Sequence, residues 1–135
     1  MSAGQRAVAE EVLRSVGEVV WVASEEALDV VTALSGSGPA YFFLLAELMA
    51  EAGESLGLER AAARRLANAT LYGSGLLAQS PDTDLAQLRA EVTSRGGTTE
   101  AALETLKAAD LRATVRRALG AAVQRSRELA AAPPG

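Results

Sequence analysis

The segment that most limits how this chain can fold is the apolar run from Pro39 to Leu56. It follows the breaker Ser35-Gly36-Ser37-Gly38. Proline is tolerated in the first turn of a helix, so the spacing predicts a helix starting at Pro39. Tyr41, Leu44, Leu45, Leu48, Met49, Ala52 and Leu56 recur at helical spacing and give it a wide apolar face. Such a helix is roughly 25 to 30 Å long, enough for the central post of a bundle.

The flanking sequence repeats the pattern. Gln5–Val16 reads as an amphipathic helix ended by Gly17, and Glu25–Leu34 as a second helix with Ser24 as its cap. Glu59–Gln79 carries a small-residue face in which Gly73 and Gly75 suit close approach by another backbone. After a turn at Ser80-Pro81-Asp82-Thr83, short helices are expected over Asp84–Val92 and Thr99–Ala109. A last helix starts near Asp110, with Leu111, Val115, Ala118, Leu119, Ala122 and Ser126 facing inward. Its arginines (Arg112, Arg116, Arg117, Arg125 and Arg127) read as a solvated or ion-paired face. The exception to the helical pattern is Glu18–Val22, which reads as a buried strand. One strand forms no sheet alone, so its sheet is expected elsewhere. The last residues, 131–135, read as a disordered tail.

Composition excludes much chemistry. Among 135 residues there is no cysteine and no histidine, which removes disulfides, thiolate sites, the usual general base and the commonest metal ligand. No metal site is expected. A net charge of −4 without a basic run argues against nucleic acid. No signal peptide is visible, and the longest apolar run reads as short of a membrane span, which makes a cytoplasmic location the default.

What remains is Val92-Thr93-Ser94-Arg95-Gly96-Gly97-Thr98-Thr99, just before Glu100 and a new helix. Adjacent glycines let the backbone turn tightly and approach a ligand. Either threonine is a candidate cap, and the opening N–H groups of the helix suit a carboxylate or phosphate. Gly36-Ser37-Gly38 is no dinucleotide loop, because a helix rather than a strand precedes it.

Two stretches together, Ala33-Leu34-Ser35-Gly36-Ser37-Gly38-Pro39-Ala40-Tyr41 and Val92–Thr99, closely resemble pyrroline-5-carboxylate reductase, as does the closing Ser126-Arg127-Glu128-Leu129. The resemblance covers essentially the whole chain but only the family's C-terminal half. It implies an all-α helical-bundle dimerisation domain over residues 24–130. Residues 1–23 then match the last helix and strand of an N-terminal Rossmann domain.

The resemblance further implies reduction of 1-pyrroline-5-carboxylate to L-proline with NADPH or NADH, the last step of proline synthesis. The main cofactor site lies outside this chain, which alone is expected to be inactive and to bind no cofactor. Ser94, Gly96, Gly97 and Thr98 would hold the substrate carboxylate, and Thr99 would act near the ring nitrogen as the catalytic residue. The partners implied are a small-molecule substrate and a second copy interlocked as a homodimer, larger rings of dimers being known in the family; neither nucleic acid nor membrane is among them. Arg95 stands where the family usually has proline. Two alternatives stay open: the same domain of a related imine or keto-acid reductase, and a non-enzymatic helical oligomerisation module.

Overall fold

The computed structural model describes residues 1–80 and 83–131. Seven α-helices follow in order: α1 (Ala3–Arg14), α2 (Glu26–Val31), α3 (Gly38–Ser55), α4 (Arg60–Leu77), α5 (Leu85–Glu91), α6 (Thr98–Ala108) and α7 (Leu111–Ala131). The described part is all-α.

Helices α3 and α4 form a close hairpin. Its seam is made of small side chains: Ala46 and Ala50 on α3, Ala63 and Ala67 on α4, all buried. Gly53 belongs to the same fit, since a Cβ there would lie 3.3 Å from Leu58 Cδ1 and 3.5 Å from Ala63 Cβ. The turn is set by Gly57 at φ 106°, a conformation that favours glycine. The Leu58 N–H donates to the Gly53 carbonyl and the Gly57 N–H to the Glu54 carbonyl, each at 3.0 Å. This is a Schellman ending, which satisfies carbonyls a helix end leaves open.

Between α2 and α3 the Gly-Ser-Gly segment does not break the helix as the sequence suggests. Thr32–Gly36 widens into a π-helical turn, closed by a 2.8 Å bond from the Ser37 N–H to the Thr32 carbonyl. The wide turn holds Ala33, 1% exposed, and the Tyr41 hydroxyl donates to the Ala33 carbonyl at 3.0 Å. Helix α7 packs on this turn and on α2. There Ser126 Oγ donates to Asp29 Oδ1 at 2.6 Å, and Arg127 Nε lies 3.5 Å from Asp29 Oδ2. Arg125 pairs with Glu128 at 3.0 Å. The arginine face of α7 is thus part solvated, part paired.

The π-turn joins α2 and α3 into one helical run, Glu26–Ser55. With a mean hydropathy of 1.3 over its best window, the run is long and apolar enough to cross a membrane by length and composition alone. This corrects the expectation that no apolar run approaches that length. The expectation took the glycines as a break.

No strand forms among the described residues. Glu18–Val22 has no ladder partner, and Val20 is 76% exposed. Trp21 instead folds back onto α1. Its Nε1 donates to Glu10 Oε2 at 3.0 Å, and the Arg6 guanidinium sits 4.3 Å from the ring centroid. Arg14 pairs with the same Glu10 at 2.7 Å; this pairing, with Trp21 adding to it, lowers the Glu10 pKa.

The buried apolar side chains are all alanines. The large apolar residues expected to form a core are open: Leu44, Leu45 and Leu48 on α3 are each more than half exposed, and Leu111 and Val115 on α7 nearly so. A Cβ on Gly73 or Gly75 would meet nothing within 4 Å, so neither glycine admits a close neighbour from this chain. The surface totals 11052 Å², against about 6,700 Å² expected for a compact monomer of this mass. The excess is more than an obligate interface typically takes from one partner. A chain folded this way has its main apolar core still to complete.

The expected turn at 80–83 falls partly outside the described residues, as do 132–135 of the expected tail; Ala131 closes α7.

Candidate functional site: the open start of α6

Helix starts leave N–H groups without partners inside the helix, and polar side chains normally meet them. This chain follows the rule at α1, α4, α5 and α7. Ser2 and Gln5 close a reciprocal capping box on α1, with bonds of 2.8 and 3.3 Å. Glu59 accepts from the N–H groups of Ala61 and Ala62 at 3.0 Å each. These bonds lower its pKa from the ordinary 4.5. Asp84 accepts from the Ala86 N–H at 2.8 Å, and Asp110 Oδ1 from the Ala113 N–H at 3.3 Å.

Helix α6 is different. Its cap is Gly97, which has no side chain to offer, and the helix begins at Thr98. The expectation that a threonine caps it is therefore corrected: Thr98 and Thr99 are the first two helical residues. The N–H groups of Thr98, Thr99 and Glu100 have no acceptor among the described residues.

The loop before them is built by its two glycines for different reasons. Ser94–Gly97 is a four-residue turn closed by the Gly97 N–H on the Ser94 carbonyl at 3.0 Å. Gly96 is its third residue, at φ 71°, where glycine is favoured. Gly97 has ordinary dihedrals (φ −87°, ψ 174°), but a Cβ there would run into Ser94 Oγ and lie 3.0 Å from the Ser94 carbonyl oxygen. Arg95 occupies the second turn position, where proline is favoured. It is exposed and pairs with no acid among the described residues.

The glycine amides are not the free donors. The Gly97 N–H is held by Ser94, and the Gly96 N–H donates to Glu100 Oε2 at 2.7 Å. The available donors lie one to three residues beyond Gly97, in the first turn of α6. In the sequence Glu100 stands only as the residue that opens the new helix; the signal for its contact is the capping-box spacing, an acid three residues after the cap.

Ser94, Gly96 and Thr98 are exposed, while Gly97, Thr99 and Glu100 are half-buried. All lie on one loop and helix start. Among the helices, α6 packs only on α7 and not on the turn or on α3, which carry Gly36, Gly38 and Pro39. A separate groove of about 470 Å³ between α3 and α4, lined by Glu47, Glu51, Arg60 and Arg64 among others, contains none of these residues. Among the described residues no cluster of three or more carboxylates, histidines or cysteines could hold a metal.

The class this fold defines is an all-helical assembly domain: a small alanine seam, a large uncovered apolar surface, and a glycine-capped helix start beside a serine. Sequence comparison makes the class particular. Residues 25–129 match the family described as pyrroline-5-carboxylate reductase dimerisation, and the chain belongs to it. Pyrroline-5-carboxylate reductase of Pseudomonas aeruginosa is 49% identical over 130 residues, 96% of this chain and 48% of the relative. That of Pisum sativum is 42% identical over 115 residues, 85% of this chain and 42% of the relative. The solved Coxiella burnetii pyrroline-5-carboxylate reductase superposes with a TM-score of 0.89 at 44% identity, covering 96% of this chain and 48% of that one. The Plasmodium falciparum pyrroline carboxylate reductase, solved with NADP bound, gives 0.77 at 30% identity, covering 95% and 48%. The chain spans about half the length of these relatives.

Proposed function

We propose that this chain is the dimerisation and substrate-carboxylate-binding domain of a pyrroline-5-carboxylate reductase, a cytoplasmic enzyme of proline synthesis. The observation that carries the reading is the start of α6, where three unpartnered N–H groups follow the Ser94–Gly97 turn in a chain of this family. A substrate carboxylate accepts from the Thr98 and Thr99 amides and from Ser94 Oγ, favoured by the helix dipole. Gly96 and Gly97 shape the loop that allows this. The Thr99 hydroxyl lies near the ring nitrogen and orients the imine.

Reduction of 1-pyrroline-5-carboxylate to L-proline adds hydride to the imine carbon and a proton to nitrogen. NADPH or NADH is the reductant in the full-length enzyme. The Gly36–Gly38 segment is no dinucleotide loop: Gly36 ends a π-turn and Gly38 opens α3, after a helix and not a strand. These residues contribute holding and orientation, which supply a large share of catalysis when reacting atoms are well placed.

The second partner in this reading is another copy of the chain. The exposed apolar faces of α3, α4 and α7 meet their counterparts in a homodimer, and the Glu26–Ser55 run is interface rather than membrane span. Rings of such dimers extend the same reading.

Steady-state kinetics of the reductase carrying this domain test the proposal. Ser94→Ala should raise KM, and Thr99→Val should lower kcat, each by about tenfold. The 135 residues alone should show no turnover with NADPH. Unchanged constants in both variants, or turnover by the isolated chain, would contradict it.

A further inference from the structure

We infer that Glu100 is a positioning residue for the carboxylate site: its side chain holds the left-handed turn at Gly96 and so keeps the first amides of α6 free for the ligand. The inference rests on the carboxylate-binding reading above and extends it to a residue that reading does not use.

A Glu or Gln three residues after a helix cap ordinarily reaches back to the N–H of the cap itself, as Gln5 does to Ser2 in α1. At α6 that N–H is already spent, because Gly97 donates to the Ser94 carbonyl. Glu100 therefore reaches one residue further and takes the Gly96 N–H at 2.7 Å. The contact ties the middle of the turn to the helix body. Gly96, at φ 71°, is the least restrained link of the loop, since glycine loses more conformational freedom on ordering than any other residue. With the tie in place, the loop holds its shape before a ligand arrives, and the ordering cost is met in advance. The same tie uses up a loop amide that would otherwise compete for the guest.

Glu100 also brings a negative charge near a site meant for an anion. Its geometric role favours binding and its charge opposes it, so the two separate by substitution. Gln keeps an acceptor at the same reach and removes the charge. Ala removes both.

The experiment uses the isotope-labelled chain in its assembled state, with L-proline as the probe. In wild type and Glu100→Gln the Gly96 amide proton should resonate at low field, and Glu100→Gln should bind L-proline as tightly as wild type or more tightly. In Glu100→Ala the Gly96 proton should move upfield and the affinity should fall about tenfold. Glu100→Ser, polar but too short to reach Gly96, should repeat that loss should the alanine variant fold poorly. Equal affinity in wild type and both truncated variants overturns the inference and leaves the carboxylate reading intact. So does tighter binding in Gln, Ala and Ser alike, the signature of a charge with no positioning role. A wild-type chain with no response to L-proline removes the carboxylate reading and this inference together.

Discussion

The starts of α4 and α6 face the same problem and solve it in opposite ways. At α4, Glu59 turns its carboxylate onto the N–H groups of Ala61 and Ala62, and the end is closed from within. At α6 the cap is a glycine, the acid sits three residues inside the helix and reaches back past the cap, and the first-turn N–H groups stay open. A side-chain cap stabilises a helix start by about 1 kcal/mol. A chain that caps α1, α4, α5 and α7 forgoes that stabilisation at α6, as it does at the short α2, whose Glu25 cap makes no side-chain bond. The difference teaches that the α6 start is shaped for something other than its own stability.

The largest effect should come from Gly97→Ala. Its Cβ would crowd the Ser94 carbonyl oxygen at 3.0 Å, and the backbone there cannot rotate away without opening the turn. The cost should be about 1–3 kcal/mol in thermal or denaturant unfolding, together with loss of L-proline binding. Normal stability and binding in this variant would remove the steric account of the loop.

Thr98→Pro sharpens the comparison with less damage. Proline suits the first helical position, and Gly97 already has the extended ψ of 174° that a residue before proline prefers. The substitution deletes one open donor and leaves the helix standing. Affinity for L-proline should fall about tenfold while stability changes by less than about 0.5 kcal/mol. Undiminished affinity would show that the Thr98 amide is not a contact.

The smallest effect lies at the closed end. The folded-state pKa of Glu59 is lowered by its bonds to the Ala61 and Ala62 amides, from the ordinary 4.5. Its contribution is therefore complete above that value and is lost as pH falls through the depressed folded pKa. Glu59→Gln should flatten the acid side of the stability–pH curve below about 4.5. It should leave L-proline binding unchanged. A change in binding would mean that the two helix starts are not independent.

Much of the fold is legible in the residues because helical periodicity and breakers are local signals. The turn at Gly57 falls just past Leu56, where the apolar run ends, and Asp84 and Asp110 stand where helices begin. The Gly36–Gly38 segment misled because glycine marks both breaks and π-turns, and the choice depends on Tyr41 and α7 packing against it. The bond from Ser126 to Asp29 spans 97 positions and has no local signature. Glu18–Val22 reads as a strand by composition, yet a strand needs a neighbour to pair with. At the site, the glycines, Ser94 and the threonines were legible as a loop before a helix. Which amides remain free was not, because it depends on the reach of Glu100.

The most direct measurement is an amide-resolved titration of the assembled chain with L-proline, read at both helix starts. The account predicts saturable shifts centred on Thr98, Thr99 and Ser94, with the Ala61 and Ala62 amides unmoved. Shifts of equal size at Ala61 and Ala62, or silence at Thr98 and Thr99, would contradict it.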